Sequence, residues 1–164
     1  MTTATEGKTS MPKIPEEYGG HLPHHDYIAQ VVTALEAIGR GPDGWRLEEA
    51  DPATGAPALQ AALGWGAGNH NPHGGPDASD ADLLLTVNWD AAGGWSYIWE
   101  QGPGPADSFP PMDLDVPAVS DPADLAQSLR YVMDGETGGR MPHPARWDDA
   151  ERMREAVRAW QAGR

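Results

Sequence analysis

The sequence predicts an α+β fold: an antiparallel sheet of about four strands, helices packed on one face, and a C-terminal amphipathic helix. Three features carry that expectation. Between Leu83 and Glu100 apolar and polar residues alternate in two runs separated by Asp90-Ala-Ala-Gly-Gly, the period-2 signature of a hairpin with one buried face. The stretches around His24–Ile38 and Leu125–Met133 place their apolar residues at helical spacing. Short turns rich in Gly, Pro and Asp separate the segments, and such connections suit neighbouring antiparallel strands better than parallel crossovers.

Taken in order, residues 1–20 are rich in Thr, Pro and charge without periodicity and are expected to be a disordered arm. Residues 21–134 form the α+β domain. Its first helix presents Tyr27, Ile28, Val31, Val32, Leu35 and Ile38 on one stripe, with Asp26 in the first turn and Gly39 at the left-handed capping position. After Gly41-Pro42-Asp43-Gly44, Trp45 to Glu49 alternates as a short strand, Trp45 and Leu47 inward, Arg46 and Glu48 outward. Pro57–Leu63 supports two readings. Its leading Pro, Ala content and following Gly64 favour a short helix, and a strand paired with the preceding one is the alternative. Residues 66–79 hold almost no large apolar group and are expected to be a mobile loop.

In the hairpin, placing Trp89 opposite Trp95 brings Val87 to Tyr97 and Leu85 to Trp99 on the same face, an aromatic–aliphatic ladder. Met112, Leu114 and Val116 alternate with Asp113 and Asp115, predicting an edge strand whose outward carboxylates discourage association. Ser120-Asp121-Pro122-Ala123-Asp124 starts a helix that ends at Gly135. Residues 135–146 are expected to be a linker. Residues 147–164 then form a helix with Trp147, Ala150, Met153, Val157 and Trp160 on one stripe, supported by an i,i+4 pair of Asp148 with Arg152.

At 164 residues the chain suits one domain with its own core. The formal net charge is −14, and between residues 77 and 134 eleven acidic side chains face the single Arg130. Such a field repels phosphate backbones and anionic headgroups, so nucleic acid and membrane surfaces are not expected partners. There is no Cys, which excludes disulfides, thiol catalysis and Cys-based zinc sites. Without a signal-like or membrane-spanning apolar run, the expected location is the cytoplasm.

The succession HDYIAQVVTALEAIG, GWRLEEADP, NWDAAGGWSYIW and a Pro-started helix resembles a family of small actinobacterial proteins of unknown function over residues 26–133. The resemblance implies a cytoplasmic protein from a GC-rich genome, which agrees with nine Arg against two Lys, and it transfers no catalytic residue. The order of helices and strands is also similar to the fold of bacterial secretion-chaperone-like proteins, which bind other proteins.

Candidate site residues fall into three groups. His21, His24 and His25, with His70 and His73, have spacings that could share a metal ion if the two loops met; loop histidines in solvent are the simpler expectation. Trp65, beside the 66–79 loop, is expected to be an exposed contact residue. Asp113 and Asp115, as paired acids, and Trp147 and Trp160, on a basic helix, complete the candidate partner-binding set. The terminal helix has two destinations, its own acidic sheet or a groove of a partner, and self-docking hides an aggregation-prone stripe. No nucleophile–base pair, phosphate loop or G-x-S-x-G setting occurs, so neither a catalytic residue nor a cofactor is assigned.

The expected function is therefore that of a small acidic, non-enzymatic interaction domain, adaptor- or chaperone-like, whose partner is another protein of basic character or a second copy of the chain. Two alternatives stand beside it: a small-molecule or metal-binding enzyme built on the His-rich loops, and an acidic decoy that mimics nucleic acid.

Overall fold

A computed structural model describes residues 22–49, 59–66, 83–101, 110–135 and 141–163. The expected arm at 1–20 and the loop at 67–79 lie outside these residues. The elements run α1 (His25–Ala37), β1 (Gly44–Glu49), β2 (Leu59–Trp65), β3 (Leu83–Asp90), β4 (Gly94–Gln101), β5 (Met112–Asp113), α2 (Pro122–Met133) and α3 (Ala150–Ala162). The five strands form one antiparallel meander in the order β1-β2-β3-β4-β5, with α1 and α2 packed together on one face.

The hairpin register is the predicted one: Trp89 faces Trp95, Val87 faces Tyr97 and Leu85 faces Trp99. The connection is tighter than a five-residue loop, because Asp90 already pairs with Gly94. The Asp90 carboxylate accepts from the backbone N–H groups of Ala92 (2.7 Å) and Gly93 (2.9 Å). Gly94 takes φ +80°, the left-handed residue that closes a three-residue hairpin loop.

The odd-numbered residues of β1–β4 face the helices. Leu59, Leu63, Trp65, Leu85, Val87, Trp89 and Trp95 are each at most 2% exposed, as a sheet with one covered face requires. They meet Ile28, Val31 and Leu35 of α1 and Leu125 and Leu129 of α2 in one core.

Residues 59–65 adopt the strand alternative rather than the helix that Ala content favours. Ala61 lies between Leu47 of β1 and Trp89 of β3 in the same row, so a small residue there leaves room for the neighbouring indole. Packing across the sheet overrides helix propensity. Beyond β4 the outcome also differs from the expectation of a five-residue strand. Met112 and Asp113 alone are in ladder register with β4, and the Leu114 N–H adds a bond to the Trp95 carbonyl at 3.0 Å; Leu114 is buried while Met112 is 52% exposed. Asp115 takes φ +53°, a left-handed turn that ends the extended chain.

Asp121, within the expected Ser120–Asp124 start, caps α2. Its carboxylate accepts from the N–H groups of Ala123 (3.0 Å) and Asp124 (3.1 Å), with Pro122 at the first helical position. Asp121→Ala is expected to cost about 1 kcal/mol, read as a lowered urea midpoint with an unchanged slope.

The stretch after residue 140 is held down rather than spanning open space. Ala145 N–H donates to Asp124, Asp121 N–H to the Ala145 carbonyl, Trp147 N–H to the Val119 carbonyl, and Ser128 Oγ to the Pro142 carbonyl. Trp147 therefore precedes α3 instead of starting it. The ion pair joins Asp149 and Arg152 at 3.3 Å rather than Asp148 and Arg152. α3 buries Ala150, Met153 and Val157 against the domain's own core.

Candidate functional site

The reactive and polar side chains divide between a sealed polar–aromatic cluster under α1 and the opposite face of the sheet, which carries no helix among the described residues. His24 anchors the cluster. It precedes α1 at the position i that shares the stripe of Tyr27, Ile28 and Val31, and its residue is 0% exposed. The imidazole stacks on Trp89, ring centroids 5.3 Å apart and planes 22° from parallel. Nε2–H donates to the Gln60 carbonyl at 2.9 Å, which places the lone pair on Nδ1, an atom with no hydrogen-bond partner. Burial holds the His24 pKa down at about 4; the Gln60 bond opposes the shift and the neighbouring His25 adds to it.

Tyr27, one helical turn on, sits edge-to-face with Trp89 (6.1 Å) and Trp95 (6.2 Å), and its ring lies 5.1 Å from that of Trp147. Its hydroxyl donates to the Ser120 carbonyl at 3.0 Å, and burial pushes its pKa upward. Trp89 Nε1–H donates to the Ala118 carbonyl at 2.7 Å. The polar tips of Tyr27 and Trp89 are thus engaged by the segment between β5 and α2, as buried Tyr and Trp require. They knit the layers together and present no nucleophile.

The histidines do not behave as one group. His24 is inside, whereas His25 is half-buried at the rim, with Nδ1 3.1 Å from Asp26 and its ring 6.0 Å from that of Trp45. His21, His70 and His73 lie outside the described residues. Among the described residues no three His, Asp or Glu side chains converge as metal ligands would.

Trp65 is a correction to the expected exposed contact: it is 1% exposed, and its Nε1–H donates to the Arg40 carbonyl at 2.9 Å. Its odd number puts it on the helix side of β2, where alternation outweighs proximity to a loop. Asp113 and Asp115 do not form one outward row, because β5 ends at Asp113 and Asp115 turns left-handed; both are exposed. Trp147 and Trp160 are half-buried against the domain's core, the self-docking destination of the last helix. Arg40, 5% exposed, pairs with Asp134 at 2.6 Å and ties the end of α1 to the end of α2.

The even-numbered residues of β1–β4, with Asp113 of β5, form the other face. In register, Arg46, Ala62, Asn88, Ser96 and Asp113 make one row, and Gly64, Thr86 and Ile98 the next. Leu84 and Glu100 pair beyond them, while Glu48, Gln60 and Asp90 close the opposite end. Thr86, Asn88, Ser96, Ile98 and Glu100 are half-exposed. The centre is small or uncharged, the rim acidic, and Arg46 the single cation in these rows. Burial opposes ionisation of Asp90, but bonds from Gly93, Ala92 and Gln60 outweigh it and hold its carboxyl below the usual value.

Two features escaped the sequence reasoning. The i, i+3, i+4, i+7 spacing of His24, Tyr27, Ile28 and Val31 carried the signal that His24 is a core residue. The apolar Leu84 and Ile98 on the open face could be placed only once the strand register assigned them to it. Comparison with protein-family models, curated proteins and solved structures returns no match.

Proposed function

We propose that this protein is a non-enzymatic interaction domain, adaptor- or chaperone-like, that binds a protein of basic character over the face of its sheet opposite α1 and α2. One observation supports it above the others: Thr86, Ile98, Asn88 and Ser96 form a half-exposed, uncharged centre framed by Glu48, Glu100 and Asp113. A small, flat centre admits close contact, and an acidic rim steers and orients a cationic partner. The net charge of −14 extends the same field over the whole molecule.

The test is capture of partners by the tagged full chain, followed by their identification and by binding measurements with the purified partner. Thr86→Lys with Ile98→Lys, which sets two cations in one cross-strand pair, is expected to abolish binding, with thermal melts confirming that the variant remains folded. Glu155→Lys, on the exposed side of α3, is expected to leave binding unchanged. Binding that survives the double variant would move the interface elsewhere. Capture of nothing above background, at low and moderate salt, would remove the interaction reading altogether.

A further inference from the structure

His24 is a buried titratable side chain whose hydrogen bonding is half complete. Nε2–H donates to the Gln60 carbonyl at 2.9 Å, while Nδ1 is buried without a hydrogen-bond partner. The charged groups of the surrounding elements are engaged with others or lie in solvent. On α1, Asp26 sits 3.1 Å from the His25 ring, and His25 itself disfavours a second charged imidazole beside it. On β2, the Gln60 carbonyl faces the ring, and its side-chain amide donates to Asp90 at 3.2 Å. Asp90, at the end of β3, also accepts from Ala92 and Gly93, and Glu49, at the end of β1, is exposed. A proton arriving at Nδ1 therefore creates a buried donor without an acceptor. Attraction between an imidazolium and the Trp89 face returns part of that cost. Burial is the larger effect and holds the pKa at about 4.

We infer that His24 is an acid-operated latch: on taking a proton its ring leaves Trp89, the first turn of α1 lifts from the sheet, and one face of the indole is uncovered while the rest of the fold stays in place. Three features confine the opening to that turn. His24 stands at the N-cap without a side-chain capping bond, and the helix dipole opposes a cation there. The turn before it is closed by the His25 N–H bond to the Leu22 carbonyl at 3.0 Å, a local contact that opens without disturbing a strand. One turn on, Tyr27 is pinned by its hydroxyl to the Ser120 carbonyl and by its ring to Trp89, Trp95 and Trp147, so release stops there. The β2–β3 ladder pairs residues 60–65 with 85–90 and does not include His24.

Released, the ring titrates at its ordinary 6.5; latched, it titrates at about 4. Above pH 6.5 both forms are neutral and the latch is shut. As pH falls from 6.5 to 4 the released form takes the proton first. The opening equilibrium then rises by up to about 300-fold, tenfold for each pH unit between the two values.

The experiment is amide hydrogen exchange of the full chain by NMR as pH is lowered, corrected for the intrinsic pH dependence of exchange and repeated in urea below the unfolding transition. Ile28, whose N–H donates to the His24 carbonyl at 3.0 Å, reports the latch; Val87, paired on both sides in the sheet, reports global unfolding. Ile28 is expected to exchange at least about tenfold faster than Val87, with little response to urea, and to speed up as pH falls below 6.5. His24→Phe and His24→Gln cannot titrate, and in both, with thermal melts confirming the fold, Ile28 exchange is expected to stay constant over the same range. Corrected exchange at Ile28 that ignores pH in the native chain overturns the inference, because the ring then stays in place. So does Ile28 exchange that matches Val87 in rate and urea response, which makes the opening global. A pH response retained in either folded variant also overturns it, by assigning the opening to another group.

Discussion

Trp89→Ala is expected to cost about 3–5 kcal/mol, a large share of the roughly 5–15 kcal/mol that holds a domain folded. The indole is 1% exposed at the centre of the sheet. It is flanked in its row by Ala61 and Trp95, covered by the His24 ring and edged by Tyr27. Truncation removes the largest side chain from a site whose neighbours are fixed by strand pairing, so the cavity cannot close. It also deprives the Ala118 carbonyl of its 2.7 Å donor, which adds the cost of an unmet buried acceptor. Urea denaturation should show the midpoint falling with little change in slope. Trp89→Phe separates the two contributions, since it keeps a ring beneath His24 but loses the indole N–H. A midpoint unmoved by the alanine variant would mean that this ring is not in the core.

Mild acid should destabilise the fold through His24, by about 3 kcal/mol at full effect. In the folded chain its pKa is about 4, against an ordinary value of 6.5, so the unfolded state binds the proton first. Above pH 6.5 both states hold a neutral imidazole and there is no penalty. As pH falls from 6.5 to 4 the unfolded chain gains a proton that the folded chain refuses, and stability declines. Below 4 both are protonated and the loss levels off. The structural cause is that Nε2 is already committed to Gln60 while Nδ1 has no acceptor to receive a charge.

Asp90 acts in a different window. Its carboxyl pKa is depressed below 3.8, so its contribution is intact above that value and is lost as pH drops through the lowered one. His24→Phe retains an aromatic ring over Trp89 and cannot titrate. Its stability should therefore stay flat between pH 6.5 and 4 where the native protein's declines. Parallel declines in the two proteins would assign the acid sensitivity to other groups.

The legible parts of the fold are those in which a local pattern and a burial requirement agree. The β3–β4 register followed from setting Trp89 against Trp95, because a one-residue slip would turn every indole to the other face. The end of α1 was readable at Gly39, which takes φ +75°, and the end of α2 at Gly135, at φ +63°. β2 was ambiguous because Ala suits either structure; what settles it is the width of the gap between Leu47 and Trp89. β5 was overextended because alternation in Met112–Val116 continues past the point where Asp115 turns the chain. Trp65 seemed a surface residue by its neighbours in sequence, and is interior by its place in the sheet.

The candidate site was less legible than the fold. His24 and His25 are adjacent in sequence, yet helix geometry sends one into the core and leaves the other at the rim. Charge, by contrast, was available at once: the net charge of −14 and the single Arg130 among the acids of residues 77–134 are properties of the sequence.

By itself the sequence determined the cluster of paired strands between helices, the identity of the β3–β4 ladder and the sign of the surface field, because these depend on spacing and side-chain chemistry along short windows. Only the tertiary structure decided that Leu59–Trp65 is a strand, that His24 and Trp65 are interior, and that the last helix docks on its own domain. Each of these depends on which distant residue supplies the contact, and a neighbour many positions away leaves no local period to detect.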